Sequence, residues 1–259
     1  MLQDFGFAKS SRSRLVDTII ISDLHLGSEV SLAKDARRML KTRAFKRLIL
    51  LGDIFCDLNF RRLKKEHWEF LSYIRKLSHP KRDVEVVWVE GNHDQGLADV
   101  MSHLVGVPVH QEYTWTLAGQ RYVAIHGHQF DRFIINNTAL SAIGAFLYIQ
   151  IQKCDSERKR LTRFLDRLNS RWLRLSPKIA ADALAYAKLR GANTIFCGHT
   201  HQAMETEKDG VRYFNSGCWS NDRPTYISVD EAGVQIHDYW TELATLDVAE
   251  ALAGTFDGA

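Results

Sequence analysis

Val84-Glu85-Val86-Val87-Trp88-Val89-Glu90 is a short β-branched and aromatic run that stops at Gly91 and then presents an amide, an imidazole and a carboxylate: Asn92, His93 and Asp94. Such a run, closed by turn residues, reads as a buried strand. The same texture recurs four times. Leu15–Ser22 leads into Asp23-Leu24-His25, and Leu48–Gly52 leads into Asp53. Tyr122–Ile125 leads into His126-Gly127-His128, and Thr194–Cys197 into Gly198-His199-Thr200-His201. Amphipathic helical patterns fill the gaps at Ser31–Thr42 and His67–Leu77. Strands alternating with helices define an α/β protein.

Beyond residue 201 the texture changes. Val211–Asn215, Thr225–Val229 and Val234–Tyr239 read as successive strands, with turns at Asp209-Gly210 and Glu231-Ala232-Gly233. This pattern predicts a second, largely antiparallel sheet. Residues 133–190 read as a helical insertion. Within it Leu161, Phe164, Leu165, Leu168, Trp172 and Leu175 form an amphipathic stripe, and residues 139–151 are apolar on nearly every face. Residues 241–259, rich in alanine and acidic, are expected to form a terminal helix and a tail. The five motifs run from residue 23 to residue 201, so a site built from them argues for a single domain over residues 1–259.

The 259-residue chain is 45% hydrophobic and 25% charged, which is ordinary globular composition. A formal charge of +3 is too small to mark the whole chain as a nucleic-acid binder. Residues 155–178 are the basic part, with eight Lys or Arg residues against Asp155, Glu157 and Asp166. Cys56, Cys154, Cys197 and Cys218 form no CxxC pair, which excludes a zinc ribbon and a disulfide framework and leaves reduced thiols as the expectation. Met1 to Arg14 has no apolar signal-peptide core, so the expected location is the cytoplasm. Phe133 to Ile151 is free of charge but broken by Asn136, Asn137, Thr138, Ser141 and Gln150, and it lies between two motifs that a membrane span would pull apart.

The motif residues combine hard oxygen donors with imidazole nitrogens, the set that suits two adjacent divalent cations. Asp23 and His25 are two apart at a strand end, as are His199 and His201, so each pair is expected to share a direction. Asp53 leaves a buried strand where α/β proteins place ligand groups, and its two oxygens suit a bridge between cations. Asn92 offers an amide oxygen. His93 and Asp94 read as a proton donor and its orienting group. His126 also ends a strand; His128 is a third imidazole nearby without an assigned role. Two such cations clamp the attacking and leaving oxygens of a phosphate ester, which points to phosphoester hydrolysis.

In this order the motifs resemble those of the calcineurin-like metallophosphoesterase superfamily: D-x-H, GD-x-x-D, GNH-D/E, a strand-end His, then GH-x-H. The second departs, because Gly52-Asp53-Ile54-Phe55-Cys56-Asp57 sets the later Asp one place further on. Asp53 is therefore carried over and Asp57 is not. The resemblance implies two packed β-sheets flanked by helices, a two-sheet sandwich of αββα type with the helical insertion as a lid. It assigns Asp23, His25, Asp53 and His201 to a first metal, and Asp53, Asn92, His126 and His199 to a second. It implies that His93 protonates or stabilises the leaving group, with Asp94 beside it. The cations are expected to be Mn²⁺, with Fe²⁺ or Zn²⁺ as alternatives.

Within that superfamily the chain resembles the UDP-2,3-diacylglucosamine diphosphatase group of lipid A synthesis. The resemblance rests on His126-Gly127-His128-Gln129-Phe130-Asp131, the insertion after it, and Tyr213-Phe214-Asn215-Ser216-Gly217 after the GHTH segment. It implies a nucleotide-lipid substrate, with UMP and a diacyl sugar phosphate as products. It also implies a lid that receives acyl chains and a basic face that meets a membrane surface. Two rival readings stay open: a phosphodiesterase or nuclease acting on a non-lipid substrate, and a binding scaffold on the same fold. The amphipathic stripe is equally well read as a helix that covers the core.

Overall fold

The computed structural model describes residues 15–96, 101–103, 105–131 and 175–245. Two sheets carry the chain. The first has the order β11-β10-β1-β2-β3-β4, built from β1 (Val16–Ile21), β2 (Phe45–Leu51), β3 (Glu85–Val89), β4 (Val109–His110), β10 (Thr225–Asp230) and β11 (Gly233–Asp238). The second has the order β5-β6-β7-β9-β8, from β5 (Glu112–Leu117), β6 (Gln120–Ile125), β7 (Thr194–Cys197), β8 (Met204–Lys208) and β9 (Val211–Asn215). Neighbours β1, β2 and β3 run parallel, as do β6, β7 and β9.

The strand runs are continuously apolar because both faces are covered. Along β2, Leu48 and Leu50 face one way and Ile49 and Leu51 the other. Ile49 and Leu51 join Ile20, Val87 and Val89 against Trp115, Tyr122, Phe196 and Phe214 of the second sheet, which makes the sandwich interior. Leu48 and Leu50 pack with α1 (Ala33–Lys41) and α2 (Lys65–Leu77) on the outer face of the first sheet. The outer face of the second sheet is covered by α3 (Leu175–Leu189), through Ala180, Ala183, Leu184 and Ala187. The result is the expected αββα layering.

Two expectations are corrected here. The strands after residue 201 do not make one sheet. β9 enters the second sheet between β7 and β8, whereas the β10–β11 hairpin joins the first sheet antiparallel to β1, with Ile19 opposite Ser228. A tight turn dictates a hairpin but not the sheet that receives it. That choice follows burial, since Ile227 and Val229 complete the sandwich interior. The far end of the expected insertion is likewise not lid-like, because α3 is a covering layer of the core. The stripe from Leu161 to Trp172 and residues 139–151 lie outside the described residues.

Among the described residues no helix is long and apolar enough to cross a membrane. Cys56, Cys197 and Cys218 are buried free thiols.

Residues 239–245 are helical and are tied to the first sheet by a polar cluster. The Glu242 carboxylate accepts from Arg43 Nη2 at 2.6 Å and Tyr226 OH at 2.7 Å, and pairs with His237 Nδ1 at 2.9 Å. Burial by itself would raise this carboxyl, but hydrogen bonds from His237 and Tyr226 and the charge of Arg43 bring it down to about 2. A carboxylate depressed in the fold stabilises it above its unfolded value of 4.5 and loses that contribution as the pH falls toward 2. Glu242→Gln is expected to lower Tm by about 2–4 °C at neutral pH. The gap should narrow once acidification passes 4.5. Thermal melts showing an equal gap at acid and neutral pH would contradict this account.

Candidate metal centre

Each motif sits just past the C-terminal end of a strand, three from the first sheet and two from the second. The loops lock onto one another before any side chain is considered. Asp23 N donates to Gly52 O at 3.0 Å, His25 N to Asp53 O at 3.0 Å, and Gly198 N to His126 O at 2.9 Å. Trp219, fully buried on the segment that crosses between sheets, donates its backbone N–H to Asp23 O at 3.1 Å.

The directions of the ligand pairs do not come from strand alternation, which is a further correction. β1 ends at Ile21 and β7 at Cys197, so the paired residues are already in loops. Asp23, His25, Asp53, His199 and His201 have φ of 52°, 48°, 51°, 67° and 56°. They are five of the seven non-glycine residues with positive φ among those described. That conformation costs energy in residues with a Cβ, and its concentration here marks a backbone bent to aim side chains inward.

The carboxylates of the first sheet face the imidazoles of the second. Asp23 Oδ1 lies 3.2 Å from His201 Nε2 and 3.9 Å from His25 Nε2. Asp53 Oδ2 lies 3.3 Å from His126 Nε2 and 3.9 Å from His93 Nε2. Both carboxylates also accept backbone N–H groups, from His199 to Asp23 Oδ2 at 3.1 Å and from His93 to Asp53 Oδ1 at 2.9 Å. Burial pushes both acids up, but His201 holds Asp23 below the usual carboxylate range, and His126 and His93 hold Asp53 well below it. In return, burial pulls His126 down while Asp53 lifts it to about 9. The two acids draw positive charge into this space.

Close approach is not hydrogen-bond alignment here. Asp23 Oδ1, Asn92 Oδ1 and His126 Nε2 are buried and have no hydrogen-bond partner despite the short ion-pair distances. His126 Nδ1 donates to Leu51 O at 2.9 Å, so Nε2 is the ring atom that faces Asp53 and that a cation would take in place of its proton. His25 Nε2 and His201 Nε2 are only 3.1 Å apart. Buried polar atoms left without a hydrogen-bond partner, as Asp23 Oδ1, Asn92 Oδ1 and His126 Nε2 are, are what a cation satisfies. Three groups have donor atoms within 4.8 Å of one another: Asp23, His25 and His201; His25, Asp53 and His93; Asp53, His126 and His199. Because His25 and Asp53 each belong to two groups, the sites are contiguous, and the donor set fits two divalent cations.

The profile of the calcineurin-like phosphoesterase superfamily domain matches residues 16–232. The chain belongs to the calcineurin-like phosphoesterase superfamily. Among solved structures it is similar to YfcE, a phosphoesterase from E. coli, with 15% identity and a TM-score of 0.50 over 86% of this chain and 92% of that one. An archaeal phosphodiesterase aligns over 85% and 98% of the two chains, with 13% identity and a TM-score of 0.48. Vps29 from Entamoeba histolytica, complexed with Zn²⁺, aligns over 86% and 98%, with 14% identity and a TM-score of 0.41. At such identities the likeness is one of fold. No curated protein sequence matches the chain significantly.

Against the superfamily's GD-x-x-D pattern, Cys56 occupies the place of the second aspartate. His93 Nδ1 donates to the Cys56 backbone carbonyl at 2.8 Å, so Nε2 is the ring atom that faces Asp53. Asp57 is turned away, bonded to Arg62 Nη1 at 2.5 Å and Asn59 N at 2.9 Å. The reading of Asp94 as the group that orients His93 is corrected: its buried oxygens accept from Ile54 N at 3.0 Å and Phe55 N at 2.9 Å. Asp94 therefore braces the loop whose carbonyl orients His93. Burial and the charge of Asp53 push its carboxyl up to about 7.

His128 is beside His126 and His199, with ring centroids 5.6 and 6.4 Å away, but it belongs to none of the three donor groups. Burial and its imidazole neighbours lower it to about 4, so it is neutral at physiological pH. Sequence reasoning missed the contact of Asp131, whose Oδ2 is 3.1 Å from His199 Nε2, and Ser22, whose hydroxyl lies within hydrogen-bond reach of both Asp23 Oδ2 and Gly217 O. Nothing in a lone Asp or Ser announces such contacts; only its position one turn past a motif hints at Asp131.

Gly198 shows how tight the loops are. A Cβ there would come 2.5 Å from Asp23 Oδ2 and 2.6 Å from Ser22 Oγ. Gly198→Ala is expected to cost about 1–3 kcal/mol of stability and to reduce bound metal, because Asp23 must move. Wild-type metal content, measured by elemental analysis of the purified variant, would show that Asp23 tolerates the displacement.

Proposed function

We propose that the protein is a dinuclear metal-dependent phosphoesterase that splits UDP-2,3-diacylglucosamine into UMP and 2,3-diacylglucosamine 1-phosphate, with Mn²⁺ as its metal. The observation that carries the phosphoesterase part is the pair of residues, His25 and Asp53, shared between neighbouring donor groups that include the unpartnered buried atoms Asp23 Oδ1 and His126 Nε2. Asp23, His25, Asp53 and His201 would hold one cation, and Asp53, Asn92, His126 and His199 the other. Bound there, two divalent cations supply Lewis-acid neutralisation of phosphoryl charge and activation of water at neutral pH.

The chain's own residues do the rest. Asp53, its backbone bent and its carboxylate braced by His93 N–H, would be the residue shared by the two cations. Asp94 and the Cys56 carbonyl fix the His93 ring, so that Nε2 delivers a proton to the leaving oxygen as water attacks phosphorus in line. The α-phosphorus then gains the water oxygen and loses its bond to the bridging oxygen, which departs with the sugar phosphate.

Support for the nucleotide-lipid substrate is the sequence resemblance through His126–Asp131, the insertion and Tyr213–Gly217. Peripheral contact with an anionic membrane surface belongs to the same proposal and rests on the eight basic residues of 155–178. Nucleic acid is not the expected partner.

The test is turnover by pure protein with Mn²⁺ of UDP-2,3-diacylglucosamine, bis-p-nitrophenyl phosphate and single-stranded DNA. Release of UMP from the nucleotide-lipid supports the full proposal. Hydrolysis of the diester or DNA with no action on the lipid retains the phosphoesterase and refutes the substrate. No turnover of any of them refutes both.

Asp53→Asn is expected to lower kcat by roughly three orders of magnitude or more and to reduce metal content, since the shared carboxylate charge goes. His93→Ala is expected to slow hydrolysis by about 10²–10⁴ with metal retained, and less on a p-nitrophenyl ester whose leaving group needs no proton. Metal loss in the His93 variant would refute its role as proton donor.

A further inference from the structure

We infer that Asp131 is a positioning residue for His199, the carboxylate that decides which ring nitrogen of that histidine faces the cations; this rests on the dinuclear reading above. Asp131 is buried and follows the short 3₁₀ turn His128–Phe130 after β6. Phe130 N bonds to Gly127 O and Asp131 N to His128 O, each at 3.0 Å, and Gln129 Oε1 accepts from Gly127 N at 3.1 Å. The turn brings Asp131 Oδ2 to 3.1 Å from His199 Nε2, both side chains being largely sealed from water.

An ionised carboxylate only accepts hydrogen bonds, so this contact places the His199 ring proton on Nε2. A neutral imidazole has one such proton. Nδ1 therefore keeps the lone pair and, on this inference, is the atom, in place of Nε2, that His199 contributes beside Asp53 and His126, with which His199 forms one donor group. His126 solves the same problem in the opposite sense, with Nδ1 given to Leu51 O and Nε2 left open. The two histidines of the second site thus present opposite ring atoms, each set by a different outer partner. One stretch of six residues supplies both the ligand His126 and the group that orients His199. Outer partners of this kind typically account for 10–100-fold in metal affinity.

Calorimetric titration of Mn²⁺ into metal-stripped protein, with long-range ¹H–¹⁵N correlation of the histidine rings, tests the assignment. Wild type should bind two Mn²⁺ and show His199 protonated on Nε2 before metal is added. Asp131→Ala should keep one Mn²⁺ at wild-type affinity and bind the other about 10–100-fold more weakly. Asp131→Asn, whose amide oxygen still accepts the bond, should recover most of that loss. Both ions bound normally by Asp131→Ala overturns the inference. An Asn variant as weak as the Ala variant, or a wild-type His199 protonated on Nδ1, also overturns it. Should Asp131→Ala fail to fold, the Asn variant and the wild-type tautomer still decide. A wild type that takes up a single Mn²⁺ while His199 holds its proton on Nε2 upholds the hydrogen bond and refutes the dinuclear reading.

Discussion

Two carboxylates, Asp23 and Asp53, are buried side by side at the ends of adjacent parallel strands, at 0% and 2% exposure. Unpaired, such charges would be costly enough to unfold a domain of ordinary stability. The surrounding architecture answers that one constraint. The second sheet brings His126, His199 and His201 across the sandwich, and backbone N–H groups of His93 and His199 complete the acids' bonding. The imidazoles arrive on β6 and β7, so the two sheets must hold their relative position for the acids to be tolerated. The aromatic packing of Trp115, Tyr122, Phe196 and Phe214 against Ile49, Leu51 and Val89 supplies that rigidity.

A second consequence concerns the backbone. Loops that must end within a few ångströms of one another cannot follow ordinary strand geometry, and five of the motif residues adopt left-handed φ instead. The strain is held by bonds between loops, such as His25 N to Asp53 O and Gly198 N to His126 O. Outer residues then set ring orientation: Leu51 O for His126, Cys56 O for His93, Asp131 for His199. Asp94 acts at one further remove, bracing the backbone that holds the carbonyl. The geometry of the candidate site is thus a property of loops locked to loops, with the sheets as their common base.

How much of this was legible differs by element, for physical reasons. β1, β2, β3, β6 and β7 were readable because strands buried on both faces need unbroken apolar runs, and each run ends at a polar motif. β4, β5 and β8 were not readable: β4 has two residues, and β5 and β8 interleave charged or polar residues such as Glu112, Thr114, Glu205 and Glu207 with their apolar ones. The turn at Glu231-Ala232-Gly233 announced a hairpin but not the strand beside it, since pairing partners across ~200 residues leave no local trace. The candidate ligand residues were legible as types and spacings. Asp131 stood out only as the end of the His126–Asp131 stretch; its contact with His199 was not legible, because an aspartate gains that meaning only when a turn carries it to another strand's histidine.

By itself the sequence determined the inventory: which strands are buried, where they stop, and that carboxylates, an amide and imidazoles stand at those stops. Burial and hydrogen-bonding capacity are written in residue type and short-range order, so these follow without a fold. Only the tertiary structure decided that β9 and β10 part company, that Asp94 braces a loop while a carbonyl orients His93, and which ring nitrogens face inward. Those outcomes depend on ångström-scale approach between residues far apart in the chain, a quantity set by how two sheets pack and absent from any local stretch of residues.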